Sequence, residues 1–472
     1  MSAFQLVVVG GGPGGYAAAF LGADLGLSVA LIDPEMNPGG VCVYRGCIPS
    51  KALLHVAKLV DESRHAKAWG VEFGEPKIHL DQLRDFKNNV VKRLTTGTGQ
   101  LAKHRKVHYI QGMAELLGPH SLKVTKAEGG DETITFEHAI LATGSAPAMP
   151  PMLRVDDPRV MDSTGALDLP DIPKSLLVVG GGYIGLELGS VYATLGSAVT
   201  VVEMTPGLLP GADRDLVEVA AKRITALMKT VMLNTSVVKV AAEAKGIRVT
   251  FEGDGVKDSS KEQLFDRVLV SVGRRPNSKI SGLGTTRVAV NDKGFIVVDE
   301  QLRTAEPSIF AIGDVVGEPM LAHKASHEGR VAVEVISGQN VAFESRAIPA
   351  VVFTDPEIAW CGITEAQAVK EGRKVTVAKF PWGASGRAIT LDRTDGLTKL
   401  ILDSETERIL GVGLVGPGAG ELIAEGVLAI EMGANATDLK LSIHPHPTLT
   451  ETLMESAEVY FGQATHVFRP KR

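Results

Sequence analysis

Three cysteines in 472 residues are too few for the disulfide framework of a small secreted domain. Any disulfide in this chain is expected to be catalytic rather than structural. No apolar run approaches the ~20 residues that a membrane-spanning helix needs. Lys and Arg (49) nearly balance Asp and Glu (55), leaving a net charge of −6. No long block of one sign occurs, which argues against nucleic acid and membranes as main partners. Low-complexity segments are also absent. The first strand starts near Gln5, leaving no room for a signal or transit segment, so a cytoplasmic location is expected. What the chain has in plenty is glycine, 52 residues, which suits a fold with many tight strand-to-helix turns. The length exceeds what one core can bury and predicts two to four domains.

The chain repeats itself. Leu6-Val7-Val8-Val9-Gly10-Gly11-Gly12-Pro13-Gly14-Gly15 returns as Leu176-Leu177-Val178-Val179-Gly180-Gly181-Gly182-Tyr183-Ile184-Gly185. Each copy reads as a short apolar strand, a G-x-G-x-x-G turn and a helix. Each is followed by a second strand that ends in an acid, Asp33 or Glu203, 23 residues after the first glycine. This is the βαβ dinucleotide fingerprint. Gly10 and Gly180 permit the turn, Gly12 and Gly182 admit the pyrophosphate, and Gly15 and Gly185 let helix and strand pack. The helix N-terminus faces the phosphates and the acid accepts from a ribose diol. A lone match is weak evidence, but two with one context and one acid spacing imply two dinucleotides. That pairing predicts a flavin, FAD, facing a nicotinamide. A carboxylate at Glu203 would repel a 2′-phosphate, so NAD is expected over NADP.

Between the copies lies Gly39-Gly40-Val41-Cys42-Val43-Tyr44-Arg45-Gly46-Cys47-Ile48-Pro49-Ser50-Lys51. Two cysteines this close to a phosphate-binding turn suggest a dithiol that opens and closes during turnover. In a straight helix residues i and i+5 have Cα atoms ~8.6 Å apart, whereas a disulfide needs less than ~7 Å. Either the pair is unbridged or the backbone departs from a helix there, and Gly46 and Pro49 would permit that. The bland alternative, two buried apolar thiols, fits poorly beside a phosphate-binding unit. Cys361, alone in an apolar run, reads as a core residue.

These motifs resemble the flavoprotein disulfide reductases over essentially the whole chain. They are most similar to the NAD-linked branch that reoxidises protein-bound dihydrolipoamide, the E3 component of 2-oxo acid dehydrogenase or glycine cleavage complexes. The resemblance implies an α/β fold of two Rossmann-like domains plus a C-terminal α+β dimerisation domain. The expected divisions are 1–148 (FAD), 149–276 (NAD), 277–345 (central, completing the FAD site) and 346–472 (interface). The Pro-rich stretch Ala146 to Pro151 is expected to be the linker out of the first domain.

By the same resemblance, Cys47 would be the flavin-proximal thiol and Cys42 the one that attacks substrate. Lys51 would lie by the flavin and pair with Glu187. Thr143 and Gly144, Asp314 at the end of a strand, and Ala322 at a helix start would complete the FAD site. Gly273 would join the NAD site. The segment His444-Pro445-His446-Pro447-Thr448-Leu449-Thr450-Glu451 resembles the family's base motif. There His446 would be the general base and Glu451 its orienting partner, because only a thiolate attacks a disulfide; His444 is expected to be structural. The family pattern around the disulfide has Thr, Asn and an apolar residue where this chain has Val41, Tyr44 and Arg45. A cation at Arg45 is expected to favour thiolate.

Expected partners are a second copy of the chain, the lipoyl domains of E2 or H-protein, and the subunit-binding region of E2. Among relatives, mercuric reductase carries a C-terminal cysteine pair, but no cysteine follows Cys361 here. Glutathione reductase places arginines after the second strand of its nicotinamide unit, where this chain has Met204-Thr205. Soluble transhydrogenase lacks the redox cysteine pair. A non-catalytic FAD-binding protein would require a dead catalytic set, and no metal site is expected.

Overall fold

The computed structural model describes residues 2–254, 256 and 260–468. The first unit follows from apolar runs of strand length separated by glycine turns. It comprises β1 (Ser2–Val9), α1 (Pro13–Asp24), β2 (Val29–Asp33), α2 (Gly40–Arg45), α3 (Cys47–His65), α4 (Leu80–His104), β3 (His108–Gly118), β4 (Ser121–Lys126) and β5 (Asp131–Leu141). β2, β1 and β5 pair in parallel, and β3 joins the outer edge of β2. The far half of β3, β4 and the near half of β5 form an antiparallel meander. Every residue of β2 is buried, as expected for a parallel strand covered on both faces. Val7, Val9, Ala30 and Ile32 face one core, and Leu6, Val8, Val29 and Leu31 face the other.

The Pro-rich stretch is more than the expected linker. β6 (Ser145–Pro147) pairs antiparallel with β15 (Arg274–Pro276). The outgoing and returning strands thus form a two-stranded ribbon. Proline is tolerated because such a ribbon leaves edge N–H positions unused.

The second unit comprises β7 (Val160–Met161), α5 (Ser163–Leu167), β8 (Ser175–Val179), α6 (Tyr183–Leu195), β9 (Ala198–Val202), α7 (Arg214–Leu227), β10 (Thr230–Met232), β11 (Thr235–Glu243), β12 (Gly246–Gly253), β13 (Glu262–Phe265) and β14 (Arg267–Val270). Its sheet has the order β10-β9-β8-β14-β7, all parallel, and β11-β12-β13 is its meander.

After β15 the chain returns to the first sheet. β16 (Ile309–Ala311) pairs in parallel with β5, and α8 (Ala322–Ile336) follows it. α8 lies so close to α1 that a Cβ on Gly14 would sit 2.9 Å from the Ala325 carbonyl oxygen.

The C-terminal part is an antiparallel sheet of order β17-β18-β21-β20-β19, as expected for an α+β domain. Its elements are β17 (Ala350–Val352), β18 (Glu357–Gly362), α9 (Glu365–Lys370), β19 (Val375–Pro381), α10 (Gly386–Thr390), β20 (Leu397–Asp403), β21 (Ile409–Gly416), α11 (Ala419–Glu431), α12 (Ala436–Leu441) and α13 (Glu451–Tyr460). Lys399 of β20 is fully buried. It donates to Asp213, Asp215 and Glu365 at 2.6, 2.8 and 2.9 Å. The first two carboxylates lie at the start of α7, so this ion cluster seats the C-terminal sheet on the second unit. A buried ammonium is tolerable only with such partners.

Candidate active site

Both glycine fingerprints take the expected form. Gly10 and Gly180 have φ +108° and +109°, and a Cβ on either would meet a carbonyl oxygen of the facing strand end, Ala142 or Ser271, at 2.2 or 2.5 Å. A Cβ on Gly15 would lie 1.8 Å from the Gly10 carbonyl oxygen, and one on Gly185 2.3 Å from that of Gly180. Gly12 and Gly182 face open space, leaving room for a pyrophosphate over each helix N-terminus.

Asp33 and Glu203 do more than await a ribose. Asp33 accepts the Gly11 and Glu35 N–H groups at 2.5 and 2.9 Å, and Glu203 those of Gly181 and Thr205 at 2.7 and 2.8 Å. Both are buried. Each carboxylate therefore fastens the turn to the strand end, and its remaining lone pairs are free for a diol.

A cavity of about 1080 Å³ opens beside the first fingerprint. It brings together Gly10, Gly12, Gly15, Asp33, Cys42, Cys47, Lys51, Thr143, Gly144, Glu187, Asp314 and Ala322. Every residue expected at a flavin site thus lines one space. Gly180, Gly182, Gly185, Glu203 and Gly273 lie apart from it on the second unit, as do His446 and Glu451 on the C-terminal part.

The cysteine helix resolves the spacing problem. α2 ends at Arg45 and α3 begins at Cys47, with Gly46 between them at φ −144°, ψ −114°. This break folds Cys42 back against Cys47. Both are free thiols, close enough to share a hydrogen bond. That bond from Cys42 lowers Cys47 to about 7, against the opposing effect of burial and with help from Lys51. Cys42 is pushed up, first by donating to Cys47 and then by burial. When the pair loses a proton, the thiolate is therefore favoured on Cys47.

Lys51 donates to Glu187 at 2.8 Å and lies 4.3 Å over the Phe353 ring. Glu187, almost wholly buried, also accepts the Phe353 N–H at 2.9 Å. Three parts of the chain meet at that carboxylate. The expectation for Arg45 is corrected. Its guanidinium is paired with Glu35, at the end of β2. Lys51 is the cation that acts on Cys47.

His446 Nδ1 is 2.8 Å from Glu451 Oε1, and Glu451 Oε2 accepts the Thr448 N–H at 2.7 Å. The imidazole is 70% exposed and does not line the cavity of its own chain. His444 is held at both nitrogens, by the Ser442 carbonyl at 2.8 Å and Glu425 at 2.7 Å, as a structural histidine should be.

Two groups carry no motif that marks them. Glu328 accepts the Gly313 N–H at 2.6 Å and pairs with Lys324 at 2.6 Å, all buried. It holds the Gly313-Asp314 turn, and its only sequence signal is an i,i+4 Lys-Glu pair. Arg274 donates to the Ser145 side chain at 2.7 Å, and Ser145 donates to Asp314. No local pattern reports that chain across the ribbon.

The model of the pyridine nucleotide-disulphide oxidoreductases matches residues 4–329, and that of their dimerisation domain matches 348–457. The chain belongs to the pyridine nucleotide-disulphide oxidoreductase family. Among similar members, the dihydrolipoyl dehydrogenase of Haemophilus influenzae is 49% identical over 98% of this chain and 96% of its own length. That of Geobacillus stearothermophilus is 44% identical over 98% and 97%. Solved structures share the fold. LpdA of Mycobacterium tuberculosis superposes with a TM-score of 0.88 at 26% identity, covering 97% of this chain and 99% of that one. The HOCl-induced flavoprotein disulfide reductase RclA of Escherichia coli gives 0.86 at 30%, covering 97% and 99%. Among the described residues no helix is long and apolar enough to cross a membrane.

Proposed function

We propose that this oxidoreductase oxidises protein-bound dihydrolipoamide to lipoamide with FAD and NAD⁺, as the E3 component of a 2-oxo acid dehydrogenase or glycine cleavage complex. The observation that carries this reading is the thiol pair lining the dinucleotide cavity, with one thiol lowered and the other raised. The cavity fits FAD because its glycines leave a cradle that a Cβ would fill, and because Asp33 and Asp314 both line it.

With Cys42 and Cys47 joined, a substrate thiolate attacks the Cys42 sulfur. The S–S bond breaks and the electron pair stays on Cys47, the better leaving group because its thiol is the more acidic. The second substrate thiol then displaces Cys42, closing the cyclic disulfide of lipoamide. His446, oriented by Glu451, takes up the substrate's proton. Bound FAD supplies the two-electron step from this dithiol to NAD⁺, which leaves as NADH plus one proton. Lys51, anchored by Glu187, keeps a positive charge beside the Cys47 thiolate. Because His446 is absent from its own chain's cavity, the base serves the thiols of a second copy, in a homodimer built through the C-terminal domain. Lipoyl domains of E2 or H-protein, and the subunit-binding region of E2, are the macromolecular partners, in the cytoplasm.

Steady-state rates with dihydrolipoamide and NAD⁺, beside glutathione disulfide and NADPH, test the reaction. The first pair is expected to turn over and the second not; the reverse overturns the reading. Mixing Cys47→Ser and His446→Ala chains tests the shared site. Half the dimers are mixed and each has one intact site, so about a quarter of wild-type activity returns. Demonstrated mixed dimers without activity would refute it.

A further inference from the structure

The two residues that depart from the family pattern, Tyr44 and Arg45, both reach away from the thiols toward the end of β2. The Tyr44 hydroxyl donates to the Asn37 carbonyl at 3.0 Å and accepts the Asn37 N–H at 3.2 Å. The Arg45 guanidinium lies 6.0 Å from the centre of the Tyr44 ring and pairs with Glu35. It is also near enough to Asp33 to act on that carboxyl. Arg45 and Glu35 line the cavity beside Asp33 and the first fingerprint.

The pair is 39% and 23% exposed, and an ion pair that open contributes ~0–1 kcal/mol to stability. Stability alone therefore gives Arg45 little reason to be held so firmly. The fingerprint itself, Gly10 to Gly15, contains no cation, although it faces a pyrophosphate. Of the other cavity cations, Lys51 is committed to Glu187 and Arg274 to Ser145, and Arg275, Lys279 and Lys293 belong to the segment that returns after β14, not to the redox helix. α2, which carries Arg45, rests directly on the fingerprint: a Cβ on Gly40 would lie 2.4 Å from the Gly12 Cα.

We propose that Arg45, braced by Tyr44, is a ligand of the ADP half of FAD. It would clasp the cofactor from the redox helix, so that the segment bearing the thiols is itself ordered by the far end of the flavin dinucleotide. The guanidinium offers five donors. With FAD bound it exchanges an exposed pairing with Glu35 for a charge-assisted bond to the cofactor. This inference rests on the reading that the cavity holds FAD.

The experiment uses apoprotein freed of cofactor, titrated with FAD by quenching of flavin fluorescence, with ADP as a competing probe. Arg45→Val is expected to weaken FAD and ADP alike by about tenfold, the worth of one charged hydrogen bond. Arg45→Lys should recover part of the loss, and Tyr44→Asn should produce a smaller loss. In each reloaded protein the pH midpoint of the long-wavelength thiolate band should stay where it is in the wild type. Unchanged FAD and ADP affinities overturn the proposal. So does a loss confined to FAD with ADP binding intact, or a moved thiolate midpoint at unchanged affinity. Should Arg45→Val not fold, Arg45→Lys and Tyr44→Asn decide by the same criteria. Wild-type apoprotein that takes no FAD would instead overturn the reading of the cavity.

Discussion

In both dinucleotide units the acid at the end of the second strand holds two backbone N–H groups, one of them from the turn residue after the first glycine. The order of the four central strands matches as well, β3-β2-β1-β5 against β10-β9-β8-β14. The units differ in what closes them. The fifth strand of the second unit, β7, immediately precedes the other four in sequence. That of the first, β16, comes from beyond the entire second unit and carries Asp314 with it. α2, α3 and α8 then pack over the first fingerprint and enclose it. Of the second unit, α5 and the start of α6 reach that cavity, through Ser163 and Leu167 and through Tyr183, Ile184, Glu187 and Leu188. One recognition device thus serves two purposes. Remote chain segments, β16 and α8, complete the cavity at the first copy, whereas the sheet of the second copy is built from consecutive chain.

Alanine in equivalent glycines is the hardest test of that contrast. Gly15→Ala would drive a methyl into the Gly10 carbonyl at 1.8 Å, beneath the cavity that α2, α3 and α8 line. FAD affinity should fall at least about a hundredfold, since such overpacking costs ~1–3 kcal/mol or more. The purified protein should be colourless. Gly185→Ala, at 2.3 Å from Gly180, should leave it yellow, with the KM for NAD⁺ raised about tenfold by the same kind of strain. Equal loss of flavin in both variants would break the comparison.

A smaller effect is expected at the two acids. Glu203→Ala should raise the NADP⁺/NAD⁺ ratio of kcat/KM about tenfold, the scale of one charged hydrogen bond. Asp33→Ala should weaken FAD retention and leave that ratio unchanged. A ratio that moves with Asp33, or ignores Glu203, would place nicotinamide selectivity elsewhere.

The smallest effect concerns the junction between the units. Cys47 is lowered to about 7, so in the reduced protein the long-wavelength band grows as pH rises through that value. Lys51 favours the charged form and Glu187 opposes it. Lys51→Met should therefore move the midpoint upward, so that at pH 7 less thiolate remains, as measured by absorbance titration. A midpoint that stays still or falls would show that Lys51 does not set the thiolate.

Much of the site is legible in the chain alone. Gly10, Gly12, Gly15 and Asp33 announce themselves because a pyrophosphate turn needs these residues at spacings set by one strand, one turn and one helix. Cys42 and Cys47 are legible for the same local reason, although their spacing leaves the distance ambiguous and only the helix break at Gly46 settles it. Glu328 is not legible. A buried Lys324-Glu328 pair looks like any surface i,i+4 pair until the helix is packed against the Gly313 turn. Arg45 misleads because proximity along the chain to two cysteines suggests a role at the thiols. The direction of a side chain on a short helix depends on what lies beneath it, here Tyr44 and the end of β2.

The two fingerprints, their acids, the cysteine pair and the sheet periodicities are written into short stretches of chain, since each is enforced over a few residues by backbone sterics and hydrogen-bond spacing. Folding alone brings β16 and α8 back from beyond the second unit to complete the first unit's cavity. It also decided that Glu187 joins Lys51 to Phe353 across more than a hundred residues on either side, and that His446 stands outside the cavity of its own chain. Those outcomes depend on which distant surfaces exclude water together, a property of packed cores that no single stretch of chain carries.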